Sequence, residues 1–158
     1  LSTLLLVAVL WAAFRSVRST EALTEEDEER LRALLARHGD RDSLGYFALR
    51  RDKSVLFSPS GKAAVTYRVV GGVSLASGDP LGDPEAWPGA IEVWLAEARE
   101  HGWAPAVMGA SEEGGTIYAR HGLDALELGD EAIVETGEFT LDGRAMRTVR
   151  PSMERLMR

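Results

Sequence analysis

The stretch "VSLASGDPLGDPEAWPGAIEVWLAEAREHGWAPAV" constrains the fold more than any other part of the chain. A β-like run (73–77) meets a loop with two Gly-Asp-Pro turns, Gly78-Asp79-Pro80 and Gly82-Asp83-Pro84. A helix read from Pro88 to His101 follows, with Ile91, Trp94, Leu95 and Ala98 at the i, i+3, i+4, i+7 spacing of one buried face. Pro88 suits a first helical turn, where a missing N–H costs nothing, and Gly102 closes the helix. The compact apolar run "APAVMGA" (104–110) comes next. Strand, helix, strand is a crossover, so the sheet is expected to be mixed rather than purely antiparallel.

Upstream lie further β-like runs: "GYFALR" (45–50), "SVLFSP" (54–59) and "KAAVTYRVV" (62–70). Arg51-Asp52, Pro59-Ser60-Gly61 and Gly71-Gly72 separate them as turns, which predicts an antiparallel meander. Ahead of the meander, Thr24 before "EEDEE" predicts a helix start, with a hydroxyl cap and carboxylates at the positive end of the dipole. Leu31, Leu34 and Leu35 form its apolar stripe, and Gly39 is suited to a left-handed end. Downstream, Ser111 is expected to cap a short helix that Gly122 terminates, although Gly114 and Gly115 weaken its start. "ALELG" (125–129) and "EAIVET" (131–136) read as strands, and "GEFTLDG" as a last extended piece. The end has helical spacing, with Met146, Val149, Met153 and Leu156 able to share a face and Pro151 placed to break or kink it.

The net charge of −7 argues against a chain coated uniformly for nucleic acid, but it hides a division. From Arg144 onward five arginines face one glutamate, so the preceding part carries about −11. Arg144, Arg147 and Arg150 are three apart and fall near one helix face, suited to phosphates of RNA or anionic lipid, or to a solvated connecting helix. At the other end, "LSTLLLVAVLWAAF" runs without charge before Arg15 and Arg18. A span needs about 20 apolar residues, so residues 1–18 read as the end of a transmembrane helix and its basic flank, with a signal-peptide core or a buried core helix as the alternatives. The two arginines put the globular part of the chain on the cytoplasmic side.

Catalytic motifs are absent. The three histidines (His38, His101, His121) each precede glycine at an expected helix end, which is a capping pattern rather than a metal triad. With no cysteine there is no thiolate site, and no Gly-rich nucleotide loop or nucleophile elbow occurs. Lys53, Tyr67 and Arg68 lie on or beside strands, as pocket-lining residues or as ordinary strand residues.

Taken in order, "DSLGYFALRRDK", "GDPLGD" and "LGDEAIVETGEFTLDGRAMRTVR" resemble the cytoplasmic domain of the bacterial phosphatidylglycerol lysyltransferase family, over residues 40 to 150. The resemblance implies a GNAT-like α/β fold, a mostly antiparallel mixed sheet flanked by helices, duplicated in tandem. It implies passage of an aminoacyl group, usually lysyl, from tRNA to a hydroxyl of phosphatidylglycerol, in a protein held at the cell membrane. Residues 19–143 are then the first GNAT-like domain and 144–158 the start of a basic connecting helix. Catalytic residues are expected in a second half. No cofactor is expected, since prolines and carboxylates in the loop suit coenzyme A poorly. Gly78, Asp79, Pro80, Gly82, Lys53 and Arg68 are the substrate-binding candidates, and Arg144, Arg147 and Arg150 the phosphate candidates. The GDPLGD loop is expected to be chiefly a rigid turn, with Asp79 capping nearby N–H groups. A membrane-tethered module that binds tRNA or anionic lipid without chemistry is the alternative, and a small-molecule acetyltransferase a more distant one.

Overall fold

A computed structural model describes residues 4–7, 23–39, 44–130 and 137–156. Chain contacts divide into two compact units, Leu1–Ala125 and Leu126–Arg158.

In the first unit, α1 (Glu25–His38) begins as the sequence predicts: the Thr24 hydroxyl accepts from the Asp27 N–H at 3.1 Å and donates to the Asp27 carboxylate at 2.8 Å. Gly39 ends it in right-handed rather than left-handed conformation, its N–H donating to the Leu35 carbonyl. Four strands and a helix follow: β1 (Ser54–Phe57), β2 (Ala63–Val70), β3 (Val73–Ser77), β4 (Leu81–Gly82) and α2 (Trp87–Glu100). Then come β5 (Ala104–Met108) and α3 (Glu112–Arg120). The sheet order is β1-β2-β3-β5, with β4 also on β2; every pairing is antiparallel except β3–β5, which the α2 crossover makes parallel. This is the expected mixed, mostly antiparallel sheet with helices on both faces.

Alternation along β2 sorts the core into two layers. Ala63, Val65, Tyr67 and Val69 point to α2 and meet Ile91, Trp94, Leu95 and Ala98, the very stripe the helical spacing predicts. Ala64 points the other way and joins Leu31, Leu34 and Leu35 of α1, together with Ala48 and Leu81. Burial of each of the larger aliphatic side chains among these, such as Val65, Ile91 and Leu31, contributes about 1.5–3 kcal/mol. Trp94 is fully buried, and its indole N–H donates to the Ser74 hydroxyl at 2.9 Å, so the helix–sheet contact carries no orphaned donor.

Two expected strands are not strands. "GYFALR" is a 3-10 helix over Gly45–Leu49. Its buried positions, Gly45 and Ala48, are three apart, so the apolar pattern has the period of a 3-10 turn and not of a strand. "ALELG" carries no regular structure, and Leu126 and Leu128 are exposed; "EAIVET" lies outside the described residues. "GEFTLDG" bends instead of extending, with the Asp142 N–H donating to the Thr140 hydroxyl.

In the second unit, a 3-10 turn (Ala145–Thr148) leads into α4 (Arg150–Leu156). Pro151 does not kink this helix. It sits in the first turn, where it has no N–H bond to lose. Val149, Met153 and Leu156 are exposed. At the chain's start Leu4 to Val7 are helical and exposed, and among the described residues no helix is long and apolar enough to cross a membrane.

Candidate functional site

The double Gly-Asp-Pro connection is a β-bulge. Ala76 faces Tyr67 and Leu81 faces Ala64, so five steps on one strand span three on the other and two residues are surplus. They are accommodated at Gly78–Pro80, where Gly78 takes φ 72°. The chain then rejoins β2 as β4, and Gly82 takes φ 95° with its Cα against the Lys62 carbonyl, too close for any Cβ. Backbone donors here turn inward: Gly78 N–H to the Met108 carbonyl (2.8 Å), Asp83 N–H to the Lys62 carbonyl (2.9 Å).

Asp79 projects from the bulge to the start of α3. One carboxylate oxygen accepts from the Ser111 N–H at 2.8 Å and the other from the Ser111 hydroxyl at 2.6 Å. That hydroxyl in turn accepts from the Gly114 N–H at 3.1 Å, as an N-cap. The capping role expected for Asp79 is thus seen, directed at a helix 32 residues away. Gly114 also finds its reason: a Cβ there would collide with the Asp79 carboxylate, whereas Gly115 has nothing near it.

Beneath the bulge, the Tyr118 hydroxyl approaches the Gly78 carbonyl at 3.4 Å, and the ring stands edge-on to Trp94. Burial, and then the Asp79 charge, push its phenol well above the usual tyrosine range. On the α1 side, Asp79, Pro80, Leu81, Gly82 and Trp87 face Leu34, Leu35 and His38 across a small cleft of about 20 Å³. Room for about one water marks a joint between elements rather than a substrate chamber.

The remaining sequence-predicted residues do not gather there. Gly78, Asp79, Pro80 and Gly82 form one site, while Lys53 and Arg68 lie further along the sheet. Lys53 is buried, just before β1. Arg68 is on β2, its guanidinium 3.2 Å from Asp52, which also takes two hydrogen bonds of 2.9 Å from Arg50. The Arg50 hydrogen bond, more than the charges of Arg50 and Arg68, holds the Asp52 carboxyl below the usual carboxylate range. Strand patterning does not single out Arg50, although the "RRDK" run contains it. In the second unit, Arg144 and Arg147 are exposed, but Arg150 donates to the carbonyls of Leu141 (2.8 Å) and Gly143 (3.2 Å). Both bonds come from its Nη1, so its Nη2 and Nε stay available on that arginine face.

Two histidines cap as expected. His101 Nδ1–H donates to the Glu97 carbonyl at 3.1 Å, and His121 Nδ1–H to the Ile117 carbonyl at 2.8 Å. Among the described residues no group of three His, Asp or Glu is placed to hold a metal.

Known proteins share this outline. Residues 32–158 match the family described as "Phosphatidylglycerol lysyltransferase, C-terminal". The chain is 61% identical over 153 residues to the lysylphosphatidylglycerol biosynthesis bifunctional protein LysX of Rhodococcus jostii, and 56% identical over 155 residues to that of Mycobacterium avium. These alignments cover 97% and 98% of the chain but only 14% and 13% of those relatives' lengths. Among solved structures it resembles the L-PGS of Bacillus licheniformis, with a TM-score of 0.69 and 27% identity over 87% of this chain and 41% of that one. It also resembles the C-terminal domain of a putative lysylphosphatidylglycerol synthetase from Agrobacterium fabrum, with a TM-score of 0.68 and 34% identity over 82% of this chain and 40% of that one. The chain belongs to the phosphatidylglycerol lysyltransferase C-terminal family.

Proposed function

We propose that this chain is the first GNAT-like half of the C-terminal domain of a membrane-bound, aminoacyl-tRNA-dependent phosphatidylglycerol aminoacyltransferase. The observation that carries the reading is the family match over residues 32–158, which runs from α1 through α4. In the reaction, a hydroxyl of the lipid glycerol attacks the carbonyl of a lysyl ester on tRNA. The new ester forms, the bond to the tRNA ribose breaks, and the hydroxyl's proton leaves with the tRNA oxygen.

Residues 1–18, an uncharged stretch with a basic flank, tether the chain to the membrane; 19–143 are the first GNAT-like domain, and 144–158 the basic link to a second half that supplies the catalytic groups. The domain lies on the cytoplasmic side. Gly78, Asp79, Pro80 and Gly82 hold the sheet and α3 in fixed relation, which sets the shape of the substrate path. Lys53 and Arg68 contribute positive charge along the sheet. Arg144, Arg147 and Arg150 meet phosphates of tRNA or lipid.

The test is transfer of radiolabelled lysine from lysyl-tRNA to phosphatidylglycerol vesicles, with this chain and with its full-length parent in parallel. Label in lipid with the parent alone is expected. No label with either sinks the transferase reading and leaves a module that binds without chemistry.

A further inference from the structure

Asp142-Gly143 is the sole Asp-Gly pair in a chain that contains no asparagine. Isomerisation of an aspartate starts when the next residue's backbone nitrogen attacks the side-chain carboxyl carbon. That nitrogen must carry a proton, be free of other bonds and be uncrowded. The described aspartates sort on these needs. Asp79 and Asp83 precede prolines, which have no N–H. The N–H groups after Asp27 and Asp52 are engaged, Glu28 with the Thr24 carbonyl at 2.9 Å and Lys53 with the Arg50 carbonyl at 3.2 Å. Asp124 and Asp130 precede Ala125 and Glu131, whose Cβ atoms crowd the nitrogen. Asp142 and Gly143, by contrast, are both exposed, and Gly143 takes φ 89° with open space where a Cβ would stand. No described residue accepts from the Gly143 N–H. The Asp142 carboxylate has one partner among the described residues, the Thr140 hydroxyl at 3.0 Å. Loss of one such exposed hydrogen bond slows the attack by about tenfold at most.

The surroundings give the step a consequence. The carbonyls on either side of Asp142, those of Leu141 and Gly143, both accept from Arg150 Nη1, at 2.8 and 3.2 Å. We infer that Asp142-Gly143 is a site of spontaneous isomerisation to isoaspartate, and that the product opens this clip on Arg150. The Gly143 nitrogen bonds to the Asp142 carboxyl carbon, and the N–H proton leaves with the carboxyl OH as water. Water then adds at the former main-chain carbonyl, whose bond to nitrogen breaks. The chain now runs through the Asp142 side chain and keeps one carboxylate. Between the two carbonyls the backbone gains one carbon, about 1.5 Å of path. The Gly143 bond already stands at the long limit for such contacts, so the added path breaks it. Arg150 Nη1 becomes accessible beside the exposed Arg144 and Arg147. No enzyme, oxidant or cofactor is needed.

The test stores the whole chain at neutral pH and physiological temperature. Peptide mapping with electron-transfer fragmentation separates isoaspartate from aspartate at each time point. Phenylglyoxal, which bonds across both Nη atoms of a guanidinium, reports on the arginines in parallel. The expected result is isoaspartate that accumulates at Asp142 and not at Asp124, with Arg150 labelling that rises in step towards that of Arg144 and Arg147. Asp142→Glu is expected to lose the isomerisation and keep Arg150 labelling flat, since its carboxyl lies one carbon too far for the five-membered ring. Asp142→Asn, which reaches the same ring with ammonia as leaving group, is expected to accumulate isoaspartate faster. No isoaspartate at Asp142, or equal accumulation at Asp124, overturns the site. Isoaspartate at Asp142 with unchanged Arg150 labelling overturns the opening of the clip, as does full labelling of Arg150 before storage.

Discussion

At the scale of single residues, Asp79, Ser111 and Gly114 form one small machine for starting a helix. Gly114→Ala drives a methyl into the Asp79 carboxylate and breaks its bonds to Ser111, so it is expected to destabilise the fold by about 1–3 kcal/mol. Gly115→Ala, one residue on with open space around it, is expected to stabilise by about 0.5–1 kcal/mol. Urea unfolding of the two variants checks both signs together. Tyr118 gives a second expectation. Its folded pKa is raised, so its contribution is complete below the unfolded value of about 10 and is lost as the pH climbs past it. Above that point only the unfolded chain releases the proton, and stability falls by about 1.4 kcal/mol per pH unit. Alkaline titration of the unfolding midpoint reads this slope, and Tyr118→Phe is expected to remove the Tyr118 share of it.

Between elements, the α2–sheet contact depends on one polar pair inside an apolar layer. Ser74→Ala leaves the Trp94 indole N–H buried without an acceptor, at an expected cost of about 1–3 kcal/mol. The denaturant midpoint is expected to move with its slope unchanged. The elements legible in the sequence are those whose periodicity is enforced by a packed face over several turns: α1 with its three leucines, α2 with its Ile-Trp-Leu-Ala stripe, and β1 to β3 between glycine turns. The 3-10 turn at Gly45–Leu49 is illegible there because five residues with two aromatics satisfy strand preference as well as a turn. The burial of Gly45 and Ala48 decides between them, and that is a tertiary fact.

Across the whole molecule, the crossover announces a mixed sheet, and the sheet carries it as the parallel β3–β5 pair. The candidate site is partly legible. Asp79 is expected to cap N–H groups, but the helix it caps begins 32 residues later, and no local spacing encodes such a contact. Lys53 and Arg68 group with the loop by chemistry alone, and the fold sets them apart. Likewise, the three-residue spacing of Arg144, Arg147 and Arg150 is plain in the sequence, but the two bonds from Arg150 Nη1 to carbonyls of its own unit are not. The bulge has one more effect, on the face that β4 presents. Because its surplus is two residues, side-chain phase is preserved through it, and Leu81 remains in the α1 layer, on the same face as Val73 and Leu75. The pairing of Leu81 with Ala64 and of Gly82 with Ala63 fixes that face from the far side of the joint. The bulge therefore acts as a hinge pin, held at both ends by β2 while its middle residue reaches across to α3.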